Sequence, residues 1–160
     1  MKRALIGVLV LLMLMAFPAV ARDGKENLKT GFLGVEWGSS ASQLTGKIEV
    51  PMSDDIPDGK VYSRKNVELG GIVIDEVQYA YYKDQFSQAM LIHNDLNELI
   101  EALRNEFGPP DMEQQGQASW VVITKPDNSE MVTIGVLPQM GRGVVVNTTY
   151  LMQMIQGADN

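Results

Sequence analysis

The segment Asn94–Pro110, NDLNELIEALRNEFGPP, constrains the chain more than any other, because it carries its own start, packing face and stop. Leu96, Leu99, Ile100, Leu103 and Phe107 recur at helical spacing and lay one apolar stripe, while Glu98, Glu101 and Asn105 take the opposite side. Asn94 is the expected N-cap, its side-chain oxygen accepting from an orphan N–H, and Asp95 suits the positive end of the helix dipole. Gly108 can adopt the left-handed conformation that closes a helix, and Pro109-Pro110 forbid continuation. Such a helix is stable only when its stripe is covered, so the flanking segments must supply the cover.

Those segments read as strands. Lys60–Glu68, Ile72–Tyr82 and Gln85–Ile92 precede the helix, separated by Gly70-Gly71 and by the two-residue link Lys83-Asp84, a hairpin signal without glycine. Val77, Tyr79 and Tyr81 share one face of the middle strand and Glu76, Gln78 and Ala80 the other, the alternation of a half-buried antiparallel strand. After the helix, Asp111–Gln117 is a polar loop, followed by Ser119–Thr124, Met131–Leu137 and Gly143–Thr149, dense in Val, Ile and Thr. The first two of these are joined by the turn-forming run Lys125–Ser129. Upstream, Ser40-Ala41-Ser42-Gln43 is a capping box that predicts a short helix stopped by Gly46. Tyr150, Leu151, Met154 and Ile155 predict a closing helix stopped by Gly157. Runs of strands broken by helices favour an α+β fold: an antiparallel sheet of about six strands with helices on one face, in the order α-βββ-α-βββ-α. The two helix starts suggest a tandem repeat with halves 31–93 and 94–157.

Met1–Ala21 reads as a signal peptide. Lys2-Arg3 form the positive end, Leu5–Phe17 the apolar run, and Ala19-Val20-Ala21 the cleavage site. The apolar run is short of the ~20 residues a membrane span needs. Residues 22–30 are polar and aperiodic, a flexible mature N-terminus, and 31–157 form a single domain. Cleavage removes two of the 13 basic residues and none of the 20 acidic ones, leaving a net charge of −9. That excludes nucleic acid and disfavours an anionic membrane surface. The chain has no cysteine, so neither a lipid anchor at the cleavage point nor a disulfide can form.

No catalytic constellation stands out. His93 is the only histidine, placed where a strand meets the helix, and no G-x-S-x-G serine accompanies it. Asp54, Asp55 and Asp58 invite a calcium site. Aligning Asp54 with the first EF-hand ligand, however, puts Ile56 third and Lys65 twelfth, where oxygen ligands are required. A solvated loop is the plainer account, and no cofactor or metal is expected. The remaining argument concerns surface. Tyr82, Trp37, Trp120 and Tyr62 are amphipathic rings of the kind that anchor interfaces, with Tyr82, beside Glu76 and Gln78, expected to be exposed. Met90, Met131, Met152 and Met154 either fill the core or line an adaptable apolar surface.

Phe32-x-Gly34-x-x-Trp37-Gly38-Ser39-Ser40, then Tyr79-x-Tyr81 with a hairpin into Phe86, then Phe107-Gly108-x-Pro110 and Trp120, resemble the pattern of small exported bacterial proteins. Their helix-plus-three-strand unit is similar to that of the SmpA/OmlA-type outer-membrane assembly lipoproteins and, in tandem, of the β-lactamase inhibitor protein. The likeness spans about Phe32 to Val146. It implies a fold of such units and a non-catalytic binding or assembly role in the bacterial envelope, periplasmic or secreted. Without cysteine the lipid of the first group and the disulfides of the second are absent, so their partners do not carry over. The expected partner is an envelope protein or small ligand, met through a sheet face or loops and without stable membrane insertion. The alternatives are a hydrolase built on acidic residues and a small-molecule carrier.

Overall fold

The computed structural model describes residues 24–51, 58–125, 130–149 and 152. Two α-helices, α1 (Gly24–Leu28) and α2 (Leu96–Phe107), accompany ten strands: β1 (Gly31–Phe32), β2 (Val35–Glu36), β3 (Ile48–Val50), β4 (Gly59–Leu69), β5 (Ile72–Tyr82), β6 (Gln85–Ile92), β7 (Met112–Gln114), β8 (Gln117–Ile123), β9 (Met131–Leu137) and β10 (Arg142–Asn147). β1 and β2 form a separate ribbon. The rest form one antiparallel sheet of order β3-β4-β5-β6-β10-β9-β8-β7. It comprises two four-strand meanders whose last strands, β6 and β10, meet at the centre in the register Met90↔Val144 and Ala89↔Val145.

The α+β class and antiparallel sheet agree with the sequence reading, and β5, β6 and β9 have the expected bounds. The count and order do not: among the described residues the sheet has eight strands, and the order α-βββ-α-βββ-α is not the observed one. The extra members are β3 and β7, three-residue edge strands too short to show a period. β7 replaces part of the expected 111–117 loop, turning into β8 through Gln115-Gly116, both at positive φ. The predicted helix after Ser40 is a single 3-10 turn, Ala41–Gln43. Instead of bonding Gln43, the Ser40 hydroxyl donates to Asp84 Oδ2 at 2.6 Å, and Ala41 N–H donates to Asp84 Oδ1 at 3.0 Å. The β5–β6 hairpin thus holds the turn from outside.

The segment expected to be flexible, 22–30, contains α1, which docks through Leu28, 1% exposed, and through Lys25 Nζ, 3.1 Å from Asp111 Oδ1. Its start touches α2: a Cβ on Gly24 would lie 2.0 Å from the Glu106 carbonyl oxygen. β10 ends at Asn147, two residues earlier than expected, because the Asn147 side chain accepts from Thr149 N–H and offers the backbone a turn instead of a ladder. Of the predicted closing helix over Tyr150–Ile155 only Met152 is described, and it is helical, as are Thr148 and Thr149; the rest of that helix, its stop at Gly157 and the signal peptide lie outside the described residues.

α2 buries Leu99, Ile100, Ala102, Leu103 and Phe107 against the sheet. Its N-cap is Asp95, one residue later than expected. Asp95 accepts from the N–H groups of Asn97 and Glu98, while Asn94 N–H is tied to Asp75 Oδ2. Gly108 closes the helix at φ 79° and Trp120 Nε1–H donates to its carbonyl at 2.8 Å, fastening the helix end to β8. Where the helix crosses β10 the sheet carries Gly143, and a Cβ there would press on Leu99 Cδ2 at 3.3 Å.

Candidate functional site

The four rings expected as interface anchors belong to the interior. Trp120 is fully buried and Tyr62 is 8% exposed. Half-buried Trp37 stacks on Phe86 at 4.7 Å and donates from Nε1 to the Leu28 carbonyl, clipping α1 to the sheet. Tyr82 follows a register irregularity at Ala80/Tyr81, where the alternation of the strand ends in two consecutive buried rings. It is 7% exposed, with the Lys83 ammonium 5.2 Å above its ring. Ring chemistry alone did not separate anchors from core, since an aromatic opposite another strand's aromatic packs just as well inward: Tyr62 meets Tyr81 edge to face at 5.7 Å.

The surface that is open lies on the other side of the sheet. Val77, Tyr79, Tyr81, Ala89, Leu91, Val132, Ile134, Val136 and Val145 point to the face that α2 covers and are buried. Their neighbours in each strand point away, and no described helix packs on them. Across the middle of that face the paired register sets Gln78, Met90, Val144, Gly135 and Ser119 in one row. Ala80, Gln88, Val146, Thr133 and Val121 make the next. The central members are half-buried, and toward the edges Val121, Ile123, Met112 and Ile48 are 40–66% exposed. Met90 and Met131 belong to this face and are outside the core cluster; Met152 is exposed, and Met154 lies outside the described residues. Charge is confined to one border row, where Lys65 faces Glu76, and to Arg142, whose Nη1 reaches Met90 Sδ at 2.9 Å.

The titratable groups are arranged for structure. His93 bridges β5 to α2, Nδ1 3.1 Å from Asp75 Oδ2 and Nε2 3.2 Å from Glu98 Oε2. Of the two, only Nε2 makes a hydrogen bond, to Glu98; Nδ1 lies beside Asp75 at ion-pair distance without one. Asp84 is held below the usual carboxylate range by the Ser40 hydroxyl and then by Ala41 N–H. Asp111 is lowered chiefly by Val121 N–H, with Lys25 adding, and Glu130 chiefly by Lys125, with Asn147 and Thr124 adding. All three shifts favour the ionised form, the opposite of what a general acid needs. Asp58 is exposed, and Asp54 and Asp55 lie outside the described residues. Among the described residues no group of three or more acidic, histidine or cysteine side chains is placed to hold a metal ion, and no helix is long and apolar enough to cross a membrane.

Comparison with family models, with curated proteins and with solved structures gives no match. The functional reading therefore rests on the geometry of the chain itself.

Proposed function

We propose that this protein is an exported, non-catalytic binding or assembly protein of the bacterial envelope, periplasmic or secreted, whose working surface is the uncovered face of its sheet. The observation that carries the reading is the composition of that face. An antiparallel sheet with one face packed ordinarily presents polar side chains on the other. Here the central rows hold Met90, Val144 and Val146, and the border adds Val121, Ile123 and Met131. Apolar side chains set open among Gln78, Gln88, Ser119 and Thr133 suit a mixed protein-binding surface, and methionine lets such a surface re-pack around its partner. Charge at the border fits the polar rim of a protein interface, so an envelope protein is the partner favoured.

Export is supported by the signal-like Met1–Ala21. The placing of two meanders on either side of the β6–β10 pair supports a tandem origin with halves 31–93 and 94–157, and with it the likeness to helix-plus-three-strand binding modules. A second reading, a small-ligand carrier, is favoured by the cleft beside the β1–β2 ribbon.

The test is capture from envelope extract by immobilised residues 22–160, in parallel with a Val121→Glu/Ile123→Glu variant at two exposed positions of the face. The expected result is a partner retained by the first and lost by the second, with unfolding temperatures within a few degrees. Retention of the same proteins by both, or of none by either, rejects the sheet face as the working surface.

A further inference from the structure

A cleft of about 390 Å³ lies on the covered side of the molecule, where α1, the β1–β2 ribbon, the far end of β4 and the last turn of α2 converge. Its floor is apolar, made by Leu28, Phe32, Leu69 and Phe107. A second hollow of about 290 Å³ adjoins it, sharing Leu33, Leu69 and Glu106 and adding Glu68 and the Gly70-Gly71 turn. Leu33 is the wall between the two. It sits at φ 49°, a left-handed conformation that a leucine adopts only when its surroundings hold it there. Its neighbour Gly34 faces open space. The wall is therefore a strained hairpin tip with room to move.

The electrostatics of this cleft have one sign. Glu36 lines the first hollow and Glu68 the second, both exposed, and the last turn of α2, the negative end of its dipole, lines both. Among the described residues no lysine or arginine lines either hollow. An anion would meet carboxylates and carbonyl groups. A neutral apolar molecule would leave the carboxylates unused. A cation on an aliphatic stem satisfies both parts, the stem on Leu69 and Phe107 and the charge beside the Glu36 carboxylate of the first hollow or the Glu68 carboxylate of the second.

We propose that this cleft binds an ammonium or guanidinium group carried on an aliphatic chain, independently of the sheet face. The group has two sources, a free alkylamine or a lysine or arginine side chain of a peptide, and the experiment separates them. Amide chemical shifts of ¹⁵N-labelled residues 22–160 are followed on titration with hexylammonium, hexanol, hexanoate and a capped tripeptide with central lysine. The expected result is that hexylammonium, the peptide or both move the amides of Leu33, Gly34, Leu69 and Phe107, that hexanol and hexanoate at equal concentration do so at least fivefold more weakly, and that added salt reduces the effect. A Glu36→Gln/Glu68→Gln variant, changed only at exposed positions, should weaken the cation threefold to tenfold and leave hexanol unaffected. Response to the peptide but not to the amine assigns the source to a partner's side chain. Equal response to cation, alcohol and carboxylate, shifts confined to the sheet face, or no shifts at all overturn the proposal. Loss of the sheet-face variant's partner in the capture experiment bears on none of these outcomes.

Discussion

The two faces of the eight-stranded sheet are built from the same strands, yet one is sealed and predominantly apolar while the other sets valines and a methionine among polar side chains. On the covered face Trp120, Tyr79, Phe86, Leu91 and Ile134 are sealed beneath α2, α1 and the β1–β2 ribbon. On the open face Met90, Val144 and Val146 are only half-buried. The strands alternate, so a valine at 145 and a valine at 146 differ in environment only because of what packs on each side. Residue type alone does not decide function here; the side of the sheet does.

That contrast can be broken most sharply by truncation. Trp120→Ala removes a fully buried ring and the bond from its Nε1 to Gly108, and should cost about 4 kcal/mol in urea unfolding. Val144→Ala, at the centre of the open face, should cost about 1 kcal/mol or less. Comparable losses would mean the open face is covered in solution. Two glycines on adjacent strands sharpen the point. Gly143→Ala presses on Leu99 and should destabilise by about 1–2 kcal/mol. Gly135→Ala meets nothing within 4 Å and should be neutral or stabilising by up to about 1 kcal/mol, since alanine restricts the unfolded strand more than glycine does. The smallest effect comes from the covered face's own defect. The Tyr79 and Tyr81 hydroxyls are buried without a hydrogen-bond partner. Burial raises both pKa values, that of Tyr81 to about 12, and the Arg64 guanidinium offsets part of the rise for Tyr79.

Folding therefore favours the neutral phenols. Their contribution is complete below the unfolded value near 10 and is lost as pH rises through the folded one. Tyr81→Phe should be neutral or stabilising by up to about 1 kcal/mol at pH 7 and should flatten the loss of stability between about pH 10 and pH 12. A clear destabilisation at pH 7 would show that the hydroxyl has a partner after all.

The helix was legible in the sequence because its stripe, cap region and glycine stop all agree locally, and the cap moved by one residue only because Asp75, nineteen positions away, claims Asn94 N–H. The long strands were legible from their alternation. What was not legible depends on contacts between distant segments. α1 looks disordered until Leu28 meets the core and Lys25 meets Asp111. The 3-10 turn looks like a capping box until Asp84 arrives from the β5–β6 hairpin. For the site, alternation set Tyr82 beside Glu76 and Gln78 and so predicted exposure, whereas it is buried; exposure is a property of what lies above a residue, which periodicity does not encode. The signal for the open face was present in Val144 and Val146, whose flanking residues 143, 145 and 147 are the inward set. It was masked because a run of three valines reads equally well as a strand buried on both sides.

The position of β10 also sets a timetable. The strand made last among those described occupies the middle of the sheet, between β6 and β9. Until residue 147 has left the ribosome or a translocation channel, the first meander ends in a bare β6 edge and the second lacks its inner member. Such edges invite pairing with other chains. A nascent form of this protein should therefore depend on a holding factor up to the moment its final strand slots into place.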